Sequence, residues 1–431
     1  MKEDFLQYVW QYQYFDQAEL QTAEGERVLV IRPGHRNADA GPDFLGAQLL
    51  LNEVKWAGSV EIHLRASDWL RHQHQHDPKY DQVILHVVWE NDSPITRTDG
   101  SPIPTLALRG RVAVDLLSSY QNLLHSPAAL PCAPFIKAVP DLTRKSMQDR
   151  ALMERLEEKA DLVLQQYRST GQDWEATAYQ VLAAAFGFKI NQEPFARLSR
   201  ALPLAVLKRH RQALFQLEAL LLGQAGLLPG EKEGDEYTQR LGKEYAFLAH
   251  KYGLAPNALR ASDWNFLRLR PSNFPTVRLA QLAALLATRE HLFSSLLREA
   301  RLADYVGFFR VTPSAYWHTH YRPGRESSGG ATAMGTASIH TLLVNTVVPL
   351  LVAYSRQTGE QAWQDKALEL LEGLPAEHNR VTRVYEELRL ENKTAADSQG
   401  YLALSRHYCL PRRCLACAVG NKILKHKLSA A

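Results

Sequence analysis

Cysteine and long apolar runs are both scarce in this chain of 431 residues. Its four cysteines are too few for a disulfide scaffold, which leaves metal binding or reduced thiols as their uses. The most apolar stretch, residues 341–354, is shorter than the roughly 18 residues of a membrane span and contains Asn345 and Pro349. An acidic pair, Glu3-Asp4, stands where a signal peptide has its apolar run. These absences predict a cytoplasmic protein with no membrane partner.

The composition is that of a globular protein. Hydrophobic residues make up 45% of the chain and charged residues 22%, which excludes disordered and fibrous proteins. A chain of this length can form one large core or two to three ordinary ones. The net charge of +4 is too small to indicate nucleic-acid binding by itself. Any functional prediction therefore depends on motifs.

The hydrophobic pattern changes near Pro131. Before it, an amphipathic helix over residues 3–14 precedes several segments rich in β-formers, with a short helical segment after Ser67. The predicted strands cover residues 27–31, 43–51, 58–64 and 82–90, and a last strand pair flanks Asp99-Gly100. The predicted helices after it cover residues 147–168, 180–188, 204–222, 279–297 and 339–355. We predict an α/β domain over residues 1–130 and a mainly α-helical domain over residues 131–431.

The most informative pattern joins Gly-Pro-Asp-Phe, which contains Asp43, to the Glu61-Ile-His63 segment of the third predicted strand. Side chains alternate along a strand, so Glu61 and His63 share one face while Ile62 points to the other. Asp43 begins the neighbouring strand, and two carboxylates placed in this way can hold a hard cation such as Mg²⁺. A bound cation polarises phosphoryl oxygens and lowers the pKa of water. We expect both carboxylates to be exposed in a cleft; a turn-capping Asp43 and a solvated Glu61 are the structural alternative.

The Pro-Asp and Glu-x-His segments, together with the order helix, three strands, helix and strand, resemble the PD-(D/E)XK nuclease superfamily. The resemblance covers about the first 90 residues. It implies a restriction-endonuclease-like core in which Asp43 and Glu61 bind Mg²⁺ or Mn²⁺ and Glu3 is an accessory residue. It also implies catalysis by Asp43, Glu61 and His63, although His63 replaces the usual lysine. The whole chain also resembles a bacterial family of unknown function, through its Gly-Pro-Asp-Phe and Val-Glu-Ile-His segments and its cysteine-rich end.

Several histidines follow this pattern. His72, His74 and His76 alternate in sequence, and Asp77 comes directly after them. Such a run can bind Zn²⁺, Mn²⁺ or iron, or it can be a polar loop over the sheet. We predict that His72 and His74 lie beside the carboxylates and contact a substrate phosphate. We interpret His76 and also His86, which lies within an apolar strand, as structural.

Three of the four cysteines, Cys409, Cys414 and Cys417, lie close together near the C-terminus, and Cys132 lies near the predicted domain boundary. Four thiolates can bind a tetrahedral Zn²⁺ ion or an iron–sulfur cluster. We predict such a site, with His407 as an alternative to Cys132. Small buried thiols without metal are the structural alternative.

Three arginines, Arg268, Arg270 and Arg278, surround a proline-containing turn before a predicted helix. Arginines in such a setting can bind phosphate groups or, equally, the carbonyls of the turn. The predicted function is metal-dependent hydrolysis of DNA or RNA, with nucleic acid as the partner and these arginines as substrate contacts. The alternatives are a non-catalytic nucleic-acid-binding or scaffold protein with a decayed nuclease core, and a small-molecule metallohydrolase centred on His72, His74 and Asp77.

Overall fold

The structure, a computed structural model, describes residues 1–230, 233–330 and 333–426. The chain forms two compact units. The first contains residues 1–149 together with the chain from Leu404 onward, and the second contains residues 150–403. This division differs from the predicted boundary at residue 130. The segment with three cysteines, which we had assigned to the helical domain, belongs to the first unit because it packs back onto that unit.

A mixed sheet forms the centre of the first unit. Its strands are β1 (Val28–Arg32), β2 (His35–Arg36), β3 (Phe44–Leu51), β4 (Val54–Arg65), β5 (Val83–Glu90) and β6 (Thr105–Ala107). The strand order is β1-β3-β4-β5-β6, and β2 also pairs with β3. The β1–β3 and β3–β4 pairs are antiparallel, whereas β4–β5 and β5–β6 are parallel. The predicted combination of an α/β N-terminal part and a mainly helical remainder is confirmed at this level.

Local sequence explains the two longest strand pairings. Asn52 and Glu53 connect β3 to β4 and have positive φ angles of 48° and 72°, the combination found in type I′ hairpin turns. Residues Val83 to Val88 of β5 are all buried, as in parallel strands that are covered on both faces. The β3–β4 hairpin therefore follows from the residues of its turn, and β5 follows from its run of β-forming residues.

Three helices flank this sheet: α1 (Glu3–Gln11), α2 (Asp68–Arg71) and α3 (Val114–His125). Glu3 and Asp4 lie in the first turn of α1, where negative charge interacts favourably with the helix dipole. Phe5 of α1 is fully buried and stacks on Tyr120 of α3, with ring centroids 4.3 Å apart. This packing fixes α1 and, with it, the polar residues on its remaining surface.

The second unit is almost entirely helical. Its helices, the first of which begins in the first unit, are α4 (Asp141–Ser169), α5 (Trp174–Phe186), α6 (Phe188–Ala201), α7 (Leu204–Arg209), α8 (Leu214–Gln224), α9 (Glu236–Tyr252), α10 (Pro275–Thr288), α11 (Leu292–Arg298), α12 (Leu302–Phe309), α13 (Thr336–Leu342), α14 (Val348–Thr358), α15 (Gln361–Gly373), α16 (Arg380–Glu387) and α17 (Ala395–Leu404). A short hairpin joins β7 (His320–Arg322) to β8 (Arg325–Glu326). The chain belongs to the first unit again from Leu404, and α18 (Ala418–His426) is its last described helix.

Two predicted helices are each divided in the structure. The prediction over residues 279–297 corresponds to α10 and α11, separated by an extended Arg289 with φ −113° and ψ 110°. The Arg289 side chain donates hydrogen bonds to the carbonyls of Gly307 and Phe308, so tertiary contacts hold the break. The prediction over 204–222 is likewise divided, after Arg209, into α7 and α8.

The helical run Thr336–Thr358 is longer than the apolar stretch that the sequence indicated. A π-helical turn, Leu343–Val347, connects α13 to α14 and carries the helix past Asn345 to Pro349 in the first turn of α14. By length and composition the run could cross a membrane, but 67% of its apolar window is buried inside the structure. A helix in the core of a folded unit satisfies the same criterion.

Candidate metal centre

Asp43 and Glu61 meet across neighbouring strands. Phe44 of β3 pairs with Val60 of β4, which places Asp43 beside Glu61. The backbone N–H of Asp43 donates to Oε2 of Glu61 at 3.0 Å, and the backbone N–H of Ile62 donates to Oδ2 of Asp43 at 3.1 Å. Each carboxylate is therefore held by the strand that carries the other.

A local irregularity in β3 adjoins this pair. The register between β3 and β4 shifts between Phe44 and Ala47, and Gly46 has a φ of +69° there. A residue in the left-handed conformation is typical of a β-bulge, which bends a strand and redirects neighbouring side chains. Glycine adopts this conformation without the steric cost that other residues have. The bulge lies next to the point at which Asp43 meets Glu61.

Helix α1 supplies further polar contacts. Gln7 Nε2 donates to Oδ1 of Asp43 at 2.9 Å, and Arg36 Nη2 donates to Oε1 of Gln7 at 2.7 Å. Burial, and after it the charge of Asp43, raise the pKa of Glu3 in the first turn of the same helix. The sequence suggested Glu3 but gave no indication of Gln7, whose contact with Asp43 spans 36 positions.

Three histidines lie on the other side of Glu61. His63 Nε2 and His74 Nε2 are each 3.5 Å from Oε1 of Glu61. His63 Nε2 is 3.1 Å from His72 Nδ1. One ring nitrogen from each of His63, His72 and His74 lies within 4.8 Å of the other two. The structure therefore brings together Asp43, Glu61, His63, His72 and His74, which we call the carboxylate–histidine site.

A left-handed turn places His72 and His74 in this site. His72 follows the last residue of α2, and Gln73 has a φ of 61° before a 3₁₀ turn begins at His74. The His74 ring stacks on Tyr80, with centroids 3.7 Å apart. His76 is exposed and lies outside the cluster, although it continues the alternating pattern.

His86 belongs to the surroundings of the site. Its Nε2 is hydrogen-bonded to Nδ1 of His63 at 2.9 Å, and its side chain is fully buried. In the parallel β4–β5 pair His86 lies opposite Glu61, which explains why it reaches the site. Our interpretation of His86 as a core histidine omitted this contact. A histidine within an apolar strand beside a Glu-x-His strand was the available signal.

The carboxyl groups are protonated more readily than ordinary acids. Burial and the neighbouring Glu61 raise the pKa of Asp43 to about 7. Burial raises the pKa of Glu61 to about 8, although the N–H of Asp43 opposes this change. Burial and the charge of Asp43 raise the pKa of Glu3 to about 7. Ionising all three acids is therefore unfavourable unless a cation compensates their charge.

The histidines of the site have lowered pKa values, so they lose their protons more readily than ordinary histidines. Burial and the neighbouring histidines lower the pKa of His63 to about 2. Burial lowers the pKa of His86 to about 3, and it also lowers the pKa values of His72 and His74. Their imidazoles are neutral at physiological pH, which is the form that binds metal ions. Carboxylate oxygens and imidazole nitrogens together can bind a divalent cation.

The raised pKa of Glu61 predicts a pH-dependent stability. Between its ordinary value of 4.5 and about 8, the folded protein retains a proton on Glu61 that the unfolded chain releases. Stability of the metal-free protein therefore falls as pH rises through this window. Because Glu61→Gln removes this titration, the free energy of unfolding of the variant should rise relative to wild type from pH 5 to pH 8. Urea denaturation in the presence of a chelator measures the difference.

The exposed Glu53, in the turn between β3 and β4, provides the control for this experiment. Glu53→Gln should follow the wild-type pH profile. A Glu61→Gln profile parallel to that of wild type would contradict the assignment of a buried, proton-retaining carboxyl group.

Two expectations about this site need correction. Glu61 is 5% exposed, so it is not an exposed residue of an open cleft. Asp77, proposed as a ligand in the small-molecule alternative, accepts the backbone N–H of Lys79 and caps a 3₁₀ turn. Its carboxylate is thus used by the local backbone.

The three arginines lie in the second unit. Arg268 and Arg270 are exposed, but Arg278 is only 4% exposed. The Arg278 guanidinium donates to side-chain oxygens of Gln281, Asn273 and Ser338 and lies over the Phe188 ring, 4.6 Å from its centroid. These contacts engage Nη1 and Nη2 within the protein and the side chain is buried, so the prediction of Arg278 as a substrate contact gives way to a structural role. Arg268 and Arg270 remain predictions.

Arg278→Met should lower the free energy of unfolding of the helical unit by about 1.5–3 kcal/mol, because hydrogen bonds to a charged group are lost and their partners remain buried. Arg270→Met changes an exposed side chain and should alter it by less than about 0.5 kcal/mol. Hydrogen-exchange mass spectrometry of peptides from α10 measures both effects. Equal protection in the two variants would show that the buried arginine contributes little.

All four cysteines lie in the first unit, and none forms a disulfide. Cys414 begins the 3₁₀ turn Cys414–Ala416, and Cys417 caps it by donating its N–H to the carbonyl of Cys414. Burial raises the pKa of the Cys132 thiol, and the other three thiols raise it further. Arg412, between Cys409 and Cys414, donates to the carbonyls of Ser126 and Ala128. This contact holds the C-terminal loop against the segment that precedes Cys132.

No curated protein and no solved structure matches the chain significantly. A match over residues 3–380 includes the whole carboxylate–histidine site but ends before Cys409. The expected resemblance at the cysteine-rich end therefore lies beyond the matched residues. On the strength of this match, which spans most of its length, the chain belongs to the family described as "Protein of unknown function (DUF2851)".

Proposed function

We propose that this protein is a metal-dependent phosphodiesterase that hydrolyses DNA or RNA at the carboxylate–histidine site. The observation that carries the proposal is the pair formed by Asp43 and Glu61, each hydrogen-bonded to the strand of the other. Both groups have pKa values raised by burial, and a divalent cation would compensate their combined negative charge. Glu61 is buried and Asp43 is half-buried, and two such carboxylates side by side are better suited to holding a cation than to stabilising a sheet.

The fold supports a restriction-endonuclease-like core. Along the chain, α1 is followed by the antiparallel strands β1, β3 and β4, then by α2 and by β5, which pairs in parallel with β4. This is the order of elements that the resemblance to PD-(D/E)XK nucleases implies. In such a core Asp43 begins one central strand and Glu61 lies within the next.

The side chains have distinct roles in the proposed reaction. Asp43 and Glu61 hold the cation, Mg²⁺ or Mn²⁺, and backbone N–H groups keep both carboxylates in place. The bound cation would polarise a phosphoryl oxygen and lower the pKa of the attacking water. Water forms a new phosphorus–oxygen bond as the bond to the leaving oxygen breaks. His63 is 1% exposed and its Nε2 lies 3.5 Å from Oε1 of Glu61, and its part in positioning water or the phosphate stays a prediction.

Cleavage assays test this proposal. Purified protein is incubated with single-stranded DNA, double-stranded DNA and RNA in Mg²⁺ or Mn²⁺, and a chelator-treated sample is the control. We expect divalent-cation-dependent cleavage of at least one polymer. Failure to cleave any polymer with the cation bound would refute it and favour the non-catalytic nucleic-acid-binding or scaffold protein.

A small-molecule metallohydrolase is a second candidate. The three histidines within 4.8 Å favour it, because imidazole clusters are common in hydrolases that act on many ester classes. Hydrolysis of a small diester such as bis(p-nitrophenyl) phosphate without cleavage of any polymer would support this candidate over the nuclease.

We also propose that Cys132, Cys409, Cys414 and Cys417 bind a structural Zn²⁺ ion or an iron–sulfur cluster. Three observations support this site. Cys417 caps the 3₁₀ turn that begins at Cys414, and Arg412 contacts residues before Cys132. The other three thiols also raise the pKa of Cys132. Thiolate ligands require reduced cysteines, so this proposal accompanies a cytoplasmic location.

Removal of this metal should destabilise the first unit, because a bound ion closes a long loop between Cys132 and the C-terminal cysteines. A strong chelator should lower Tm by about 2–4 °C for each kcal/mol lost. In Cys132→Ser the chelator should have a smaller effect. Brown colour would indicate iron–sulfur, and a colourless protein with zinc would indicate a zinc site. An unchanged Tm in a chelated protein shown to be metal-free would contradict the proposal.

A further inference from the structure

Three potential ligand atoms lie close together beside Glu61. They are ring nitrogens of His63, His72 and His74, which lie within 4.8 Å of one another. His63 Nε2 is 3.1 Å from His72 Nδ1, and Nε2 of His63 and of His74 are each 3.5 Å from Oε1 of Glu61. Metal–ligand bonds of about 2.0–2.1 Å at tetrahedral angles place ligand atoms about 3.3–3.4 Å apart. The His63–His72 separation is close to this value, and His74 lies near enough to join the same ion.

The ligand types select the class of metal. Mg²⁺ prefers six oxygen ligands in an octahedron, whereas imidazole nitrogens favour zinc, iron and other first-row transition metals. Three imidazoles thus fit a transition metal much better than Mg²⁺. We propose that His63, His72 and His74 form a binding site for one divalent transition-metal ion of the Zn²⁺ class, beside Glu61.

Glu61 lies between the three histidines and Asp43. Its Oε1 faces His63 and His74, while its Oε2 accepts the N–H of Asp43. The two oxygens of one carboxylate therefore point toward the two halves of the carboxylate–histidine site. The transition-metal ion is additional to the hard cation of the proposed function, and its binding requires no substrate.

The surroundings orient the histidine ligands. When His63 binds metal through Nε2, its Nδ1 carries a proton and donates to Nε2 of His86, at the observed 2.9 Å. Metal-bound histidines usually donate their second nitrogen in this way, which fixes the ring. The His74 ring is held by stacking on Tyr80 and by the edge of Trp69, 5.3 Å away.

One ligand is accessible from outside. His72 is exposed, whereas His63 is buried and His74 is half-buried. An ion can therefore reach the site without unfolding of the sheet. The exposure of His72 also makes it the best residue to substitute, because its removal leaves no buried cavity.

The test compares His72→Ala with His76→Ala in the full-length protein. His76 is an exposed histidine of the same loop that lies outside the cluster, so it is the matched control. Metal-free protein is titrated with Zn²⁺ and Co²⁺ in millimolar Mg²⁺, and metal content is measured by mass spectrometry. Wild type and His76→Ala should bind about one ion more per chain than His72→Ala.

Loss of a ligand should weaken binding by more than the 10- to 100-fold effect of losing an outer hydrogen-bond partner. His74→Ala, which removes a different ligand, should reproduce the result. Nitrogen and oxygen ligands give Co²⁺ only weak visible bands, whereas cysteine sulfur adds intense near-ultraviolet absorption, so the spectrum separates this site from the cysteines. Equal metal content and affinity in His72→Ala and His76→Ala would overturn the proposal.

Cleavage assays on the same proteins separate this inference from the proposed function. Zinc binding that depends on His72, without cleavage of nucleic acid, would support the transition-metal site and refute the phosphodiesterase. Cleavage supported by Mg²⁺ with no zinc binding through His72 would refute the transition-metal site alone.

Discussion

Glu61→Gln is expected to lower the rate of divalent-cation-dependent cleavage about 100- to 1,000-fold. Glu61 contacts Asp43 through Oε2 and lies 3.5 Å from His63 and His74 through Oε1. Neutralising it removes a negative ligand, and a metal ion contributes several kcal/mol to the stabilisation of a phosphoryl transition state. Each 1.36 kcal/mol corresponds to a tenfold change in rate. Single-turnover cleavage at saturating cation measures the effect on the chemical step.

The side-chain amide oxygen of the Glu61→Gln variant can still accept a hydrogen bond from the backbone N–H of Asp43, so the fold of this variant should persist. Its unfolding free energy above pH 8 should be no lower than that of wild type when metal is absent, because the buried charge is gone. Glu53→Gln, in the exposed turn of the same hairpin, should cleave at the wild-type rate. A fully active Glu61→Gln protein would place the chemistry elsewhere in the molecule.

Trp69→Ala is expected to destabilise the sheet by about 3–5 kcal/mol, the usual cost of removing a large buried aromatic ring. Trp69 is fully buried and packs against Val83, Ile95 and Ile103. Its Nε1 donates to the carbonyl of Thr96 at 3.1 Å, which ties α2 to the loop after β5. Hydrogen-exchange mass spectrometry of peptides from β4 and β5 measures the stability of the sheet itself.

The same ring supports the histidines, since its edge contacts His74 and His86 at centroid distances of 5.3 Å and 5.5 Å. Metal affinity should therefore fall together with stability in Trp69→Ala. Trp69→Phe should retain most of the packing and lose about 1 kcal/mol with the hydrogen bond. Trp56→Ala, which truncates a tryptophan that is 45% exposed, is the control and should have little effect. Equal protection of β4 in the Trp69→Ala and Trp56→Ala proteins would contradict this role.

The sequence alone predicted α1, β1, β3, β4, α2 and β5 in their order and the partnership of Asp43 with Glu61, but not β2, β6 or α3. The strand pair predicted around Asp99-Gly100 is only an isolated bridge between Thr96 and Pro102. The run of β-formers in Val83–Glu90 and the polar segment before Asp43 are local signals, and neighbouring strands in sequence usually pair. Two carboxylates near the same level of adjacent antiparallel strands must then lie close together. Periodicity also determined that the rest of the chain is mainly helical.

The sequence predicted His72 and His74 beside the carboxylates but left a polar loop as the alternative, and only the tertiary structure decided between the two. The left-handed Gln73 turns His74 toward His63, and the parallel β4–β5 pairing brings His86 behind it. The pattern of residues 72–76 was equally compatible with an exposed loop, because a single backbone angle decides where the rings point.

Contacts between residues that are distant in the sequence explain the other differences between the predictions and the structure. Gln7 reaches Asp43 from α1, Arg412 holds the cysteine-rich end against the first unit, and Arg278 turns inward to its own helical unit. Helical and strand periodicity report whether a position faces a core, not which partner a polar side chain finds there. Burial decides these partners, because a polar or charged group removed from water must be paired within the fold.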